Sequence, residues 1–162
     1  MSAFACPWNA FHIDRAGNAQ IGFPARWTML LYTYVALGGA LGSILRFGLN
    51  RWFTLLFGSA LPWGTILINI AGSFIIGALA ATFQRAGSST PNDVRQFLLA
   101  GLCGGFTTFS SFSLQTLDLL QAGEPGRAAL NVGLSVTLGL TAVALGFMLP
   151  GAVATVSRSV GA

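Results

Sequence analysis

A chain of 162 residues with 54% hydrophobic and only 7% charged side chains cannot cover a water-soluble globule, in which roughly a quarter of residues are charged. Its mean hydropathy is +0.71, so lipid must solvate much of it, and its length allows a single domain. The net charge of +4 comes from eight arginines, no lysine and four acids; the arginines form no cluster, so nothing marks a nucleic-acid surface.

In chain order, residues 1–28 come first. They mix Pro, Asn, Asp, Arg, Gly and Gln without period, and no short apolar stretch follows a basic start, so they are not a signal peptide. They read as an N-terminal extension, disordered or a mis-assigned start, with translation expected from Met29. A spanning helix needs about 20 mostly apolar residues. Four stretches meet this: 29–49, 61–83, 97–122 and 128–149. Residues 84–96, rich in Ser, Pro, Asn and charge, form a loop between the second and third. Shorter turns cover 51–60 and 122–127. The predicted domain is therefore an all-α four-helix membrane unit over 29–150, followed by a C-terminal tail over 151–162.

Four spans put both termini and the 84–96 loop on one side of the membrane. That side holds Arg15, Arg26, Arg85, Arg95 and Arg158, and the other holds Arg46, Arg51 and Arg127. Orientation follows the excess of Lys and Arg on the cytoplasmic side. Five against three is a slight bias, and a start at Met29 would remove it. Near balance fits insertion in both orientations, and equally fits one orientation held by a weak bias.

The spans are rich in small residues. Gly38 and Gly42 form a small-xxx-small pair, which lets backbones approach in lipid. In the second span Thr65, Asn69, Ser73, Gly77 and Ala81 recur every four residues, one small or polar stripe that must face protein or water. Helix packing accounts for Gly77 and Ala81. It accounts poorly for Asn69, whose amide needs a partner at mid-membrane. Asn131, Ser135 and Gly139 form a weaker stripe on the fourth span, readable as packing or as a polar track.

The third span is the unusual one. Gly104 and Gly105 are followed by Phe106-Thr107-Thr108-Phe109-Ser110-Ser111-Phe112-Ser113. Adjacent glycines and then β-branched and hydroxyl residues make a poor helix centre. A break there would free carbonyls and amides, tolerated at membrane depth only against protein or a water cavity; channels and transporters bind ions at such breaks. A kinked helix with hydroxyls bonded to the preceding turn is the plainer alternative. Phe109 and Phe112, three apart, share a face with Gln115. Aromatic edges are electropositive, so an anion gains by meeting them, although most phenylalanines in such helices face lipid or core.

No carboxylate pair, nucleophile–His pair, phosphate loop or metal-ligand cluster is present in the sequence, so it shows no enzyme chemistry. Asp14, Asp93, Asp118 and Glu124 all lie at ends or in loops, which argues against proton-coupled antiport. Cys6 and Cys103 are not placed to pair, and His12 reads as a solvated tail residue.

Three motifs then converge. Gly38-Gly39-Ala40-Leu41-Gly42-Ser43 leads to Arg46. Pro62-Trp63-Gly64-Thr65 precedes Asn69 and Gly72-Ser73-Phe74. Gly104-Gly105-Phe106-Thr107-Thr108-Phe109-Ser110-Ser111-Phe112-Ser113 closes the set. In order and spacing, over about residues 29–149, they resemble the CrcB/Fluc family of fluoride channels. The resemblance implies a dual-topology antiparallel homodimer in the cytoplasmic (inner) membrane, multi-pass, exporting fluoride passively to lower its intracellular level. It implies a fluoride pore with Asn69, Phe109 and Phe112, flanked by the hydroxyls of Thr108, Ser110 and Ser111. It places Arg46 at a vestibule, with Gln115 standing where the family often carries an acid. It also implies a structural Na+ at the dimer centre, held by the carbonyls of Gly104 and Thr107. Gln115 raises the alternative of a non-conducting half of a heterodimer with a homologue. A small four-helix multidrug exporter is a further alternative, but that class relies on an acid in its first span, and residues 29–47 have none.

Overall fold

The computed structural model describes the backbone of residues 11–13, 19–21, 25–87 and 90–160, and the side chains of residues 29–87 and 90–151. The readings of Cys6 and of the His12 side chain fall outside these, as do the side chains of Arg15, Arg26 and Arg158. Ahead of the helices, β1 (Phe11–Ile13) pairs antiparallel with β2 (Ala19–Ile21), His12 opposite Gln20. All other regular structure among the described residues is helical. Among the described residues four stretches are long and apolar enough to cross a membrane: Met29–Phe57, Trp63–Ala86, Asn92–Gln121 and Pro125–Gly151.

The expected spans are found with shifted ends: the second starts at Trp63 rather than at 61, and residues 84–86 and 92–96 of the expected loop are helical. Helix α1 (Ala25–Phe57) starts before Met29 and runs through most of the expected 51–60 turn. Helix α2 (Trp63–Ala86) follows a short connection at Gly58, whose φ of 75° suits a residue without a Cβ. The last helix, α6 (Pro125–Val160), continues past Pro150 into the residues expected as a tail. At 1.5 Å per residue α1 and α6 are each roughly 50 Å long, against about 30 Å of hydrocarbon. Their ends therefore stand outside the lipid core.

The third span is a composite. Helix α3 (Asn92–Gln96) widens into a π-helical segment, π1 (Phe97–Cys103), in which Gly104 N–H reaches back to Leu99 O. One α-turn, α4 (Gly104–Phe106), closes this half. Thr107 and Thr108 are extended, with ψ of 157° and 115°, and α5 (Phe109–Gln121) completes the span. The break is real, but it lies beyond the two glycines. Gly104 and Gly105 remain helical, and the β-branched threonines, which favour extended backbone, take the break.

Helix α2 lies at the centre of the bundle and packs most closely on α6, while α1 packs on the first half of the third span. The reason is visible in the glycines. On one seam Gly77 faces the α6 backbone at Val143 and Gly146 faces the α2 backbone at Phe74. On the other, Gly38 and Gly42 of α1 face Gly101 and Gly105, where any Cβ would meet backbone. Association in lipid depends on such close packing rather than on apolar transfer. The predicted stripe on α2 faces protein: Thr65, Gly77 and Ala81 are buried, and Asn69 and Ser73 half-buried. By contrast, much of α1 and α5 carries exposed large apolar side chains, among them Leu41, Ile44, Phe47, Leu114 and Leu117.

Candidate functional site

At the break the helical ladder changes hands. Thr107 N–H still bonds Cys103 O at 3.0 Å, and the Thr107 hydroxyl donates to the same oxygen at 3.0 Å. Thr108 N–H, which an unbroken helix would send to Gly104 O, instead donates to Asn69 Oδ1 at 2.8 Å. Asn69 Nδ2 returns a bond to Thr108 O at 3.1 Å. The side-chain amide thus pairs with one residue's backbone through both of its ends, which holds Thr108 extended. This supplies the partner that Asn69 needs at mid-membrane, and it leaves the second Nδ2 hydrogen uncommitted in this pairing.

Beyond the break Thr108 caps α5. Its Oγ1 accepts from Ser111 N–H at 3.2 Å and donates to Ser111 Oγ at 3.0 Å, with Ser110 Oγ at 3.3 Å. The N-terminal end of α5, with the positive end of its dipole, opens beside a cleft of about 260 Å³. Asn69, Ser73, Ile76, Thr107, Thr108 and Phe109 line it. Gly72 allows this approach, since Thr107 Cγ2 and the Phe106 ring occupy the space of a side chain there. Phe109 is 79% exposed and lies 5.4 Å, centroid to centroid, from the half-buried Phe112, with ring planes at 45°.

On the other side of the break, Arg46 Nε donates to Gly105 O at 3.1 Å, and Ser43 Oγ approaches the same oxygen at 3.5 Å. No carboxylate pairs with Arg46; among the described residues the one ion pair is Arg127 with Glu124. Gly104 lies outward, exposed, and the nearest atom to a Cβ built there is Leu99 O at 3.9 Å.

The family model described as "CrcB-like protein, Camphor Resistance (CrcB)" matches residues 33–147, nearly the whole four-span unit. The chain belongs to the CrcB family. Curated relatives, each named as a fluoride-specific ion channel FluC, agree. The protein from Opitutus terrae is 51% identical over 119 residues, 73% of this chain and 90% of that one. That from Rhodospirillum rubrum is 52% identical over 118 residues, covering 72% and 92%. One from Thermus thermophilus is 49% identical over 122 residues, covering 75% and 94%.

Against the CrcB-motif expectations, the structure gathers Asn69, Thr107, Thr108 and Phe109 around one cleft, with Ser110 and Ser111 on the Thr108 hydroxyl and Phe112 against Phe109. Gly104 and Arg46 sit at the first half of the break. Gln115 lies a turn past Phe112 and does not line the cleft; its Oε1 is buried without a hydrogen-bond partner. Beside it Thr116 Oγ1 receives Asn131 Nδ2 at 2.8 Å, and Ser135 Oγ reaches Asn131 Oδ1 at 3.5 Å. Asn131 is fully buried, so this part of the fourth-span stripe joins α6 to α5. Sequence reading assigned no role to Ser43 or to Ile76. Ser43 was within reach, since it stands one residue past Gly42 on the glycine seam.

Proposed function

We propose that this chain is the subunit of a fluoride-selective ion channel that lets fluoride leave the cell passively across the cytoplasmic membrane. It is a channel and not an enzyme. The observation that carries this reading is the break itself, pinned open by the two-ended Asn69–Thr108 pairing. Opening the helix separates two kinds of group. The half ending at Phe106 offers carbonyls, and the half beginning at Phe109 offers amides, hydroxyls and aromatic edges. A small anion can exchange water for the uncommitted Asn69 N–H, the hydroxyls of Ser110 and Ser111, which Thr108 Oγ1 orients, and the edges of Phe109 and Phe112. None of these carries a full charge, so binding is weak enough for release. The fluoride-channel names of relatives at about 50% identity support the choice of anion.

We further read the carbonyls of Gly104 and Thr107 as the holders of a structural Na+. The donor set fits: hard oxygens suit a hard cation, and Thr108 N–H has been drawn away from Gly104 O. Two carbonyls are too few for a cation's shell, so a second copy must supply the rest, which a two-fold dimer does. The exposed Gly104 supports the same arrangement, because nothing among the described residues requires a glycine there. When bound, the cation supplies fixed positive charge at the dimer centre.

The test is fluoride efflux from liposomes holding the purified chain alone, with chloride efflux as the control. Fluoride flux without chloride flux supports a homomeric channel. Folded protein that passes neither ion overturns it. The unpartnered Gln115 Oε1 favours one second reading, a half-channel completed by a homologue. Co-expression with that homologue would then restore flux.

A further inference from the structure

We infer that Arg46 is a positioning residue, which sorts the carbonyls at the break through its Nε–H rather than through its charge. This rests on the cation reading of the preceding section. The break frees two neighbouring carbonyls. Gly104 O loses Thr108 N–H to Asn69. Gly105 O, which an unbroken helix would pair with Phe109 N–H, is taken from the opposite side by Arg46 Nε and Ser43 Oγ. The two adjacent glycines therefore meet different fates. Gly105 is turned into the α1 seam, where a Cβ would lie 2.5 Å from Gly39 O, and its oxygen is occupied. Gly104 faces outward, and no side chain among the described residues takes its oxygen.

The seam makes this arrangement possible. Gly38, Gly42 and Arg46 succeed one another every four residues on one face of α1. The two glycines bring α1 against the third span backbone to backbone, and Arg46 reaches Gly105 O one turn further on. A cationic side chain inside a spanning stretch, with no carboxylate beside it among the described residues, is costly, and the Gly105 carbonyl dipole is its partner. With Gly105 O held, a cation at the break meets Gly104 O and Thr107 O only. With Gly105 O released, a third oxygen competes, the turn can rotate, and cation affinity falls.

Side-chain chemistry separates donor from charge. Gln has Nε2 the same number of bonds from Cα as Arg Nε, so Arg46→Gln keeps a donor in place and removes the charge. Arg46→Met keeps the side chain as far as the level of Nε and removes both. The measurement is the Na+ dependence of thermal unfolding of the purified wild type and both variants, which requires no transport. We expect half-maximal stabilisation in Arg46→Gln within about threefold of wild type, and in Arg46→Met at a concentration about tenfold higher, a difference of about 1.4 kcal/mol. Equal weakening in both variants means that charge acts and overturns the inference, as does wild-type behaviour in Arg46→Met. If Arg46→Met does not fold, Arg46→Gln decides: retained Na+ stabilisation supports donor positioning and a tenfold loss overturns it. A wild type indifferent to Na+ defeats the cation reading itself, an outcome distinct from a responsive wild type with unaltered variants.

Discussion

The two halves of the third span share one chain segment and almost nothing else. The first half, α3 to α4, is locked to α1 by glycines on both sides, and its backbone touches backbone. The second half, α5, buries none of its residues completely and carries its aromatic and hydroxyl side chains largely open. The first half is held by shape, and the second by hydrogen bonds at its N-terminal end and from Asn131 of α6 to Thr116. Two extended residues, Thr107 and Thr108, are enough to separate a clamped half from an open one. Neighbouring substitutions on either side of this boundary should therefore fail in different ways.

The sharpest contrast is between the adjacent glycines. Gly105→Ala pushes a methyl into the α1 backbone at Gly39, an overpacking that costs about 3 kcal/mol or more, a large share of a typical fold's stability. We expect no monodisperse protein on size exclusion. Gly104→Ala meets no atom nearer than 3.9 Å within the subunit and removes a helix-weakening glycine, worth about 0.5–1 kcal/mol. We expect a folded subunit that no longer assembles, seen as a smaller species with intact helical circular dichroism. Equal behaviour of the two variants would erase the distinction between the halves.

Asn69→Ala attacks the boundary from α2. It removes both bonds to the Thr108 backbone, at about 1–1.5 kcal/mol each. Thr108 N–H can then return to Gly104 O, the break closes, and fluoride efflux should fall by roughly a hundredfold while the purified protein stays folded. Asn69→Asp keeps the acceptor for Thr108 N–H but sets a carboxylate against Thr108 O, so it should not rescue flux. Full efflux in Asn69→Ala would show that the break holds without its clamp.

Phe109→Ile probes the open half. The ring is largely exposed in the subunit, so unfolding should move by no more than about 0.5 kcal/mol. Fluoride efflux should nevertheless drop about tenfold, because a branched aliphatic side chain has no electropositive edge. The readout is the ratio of flux to folded protein, and a variant that conducts fully removes Phe109 from the pore.

The boundary itself was only half legible in the chain. The four spans follow from apolar run length, because lipid as solvent imposes it. Helix ends do not follow, since hydropathy reports the solvent and not the hydrogen-bond ladder; hence α1 begins before Met29 and α6 runs beyond Leu149. The glycines and the β-branched residues after them flagged the weak point correctly, and within that stretch the break falls on the threonines rather than on the glycines. Their lack of side chains serves close packing on α1 at Gly105, whereas the break needs extended residues and a side-chain amide from another helix. The π1 widening had no signal at all, because Phe97–Cys103 reads as an ordinary apolar helix. The pairing of Asn69 with Thr108 spans 39 positions and could be read only as an amide in need of some partner.

The smallest effect belongs to Gln115, and it bears on the open half alone. Its Oε1 is buried with no donor, and an unmet acceptor of this kind costs about 1–3 kcal/mol. Replacing the amide by an apolar side chain of similar size removes that cost. Gln115→Leu should therefore leave the subunit unchanged or raise its stability by up to about 1 kcal/mol, read as a shift in thermal unfolding. The accompanying flux separates two roles. Unchanged fluoride efflux makes the amide a tolerated polar group on the packed face of α5. A gain in stability with a loss of efflux would mean that the lone acceptor serves the ion's water, and the conducting path would then extend past Phe112 toward the Thr116–Asn131 pair.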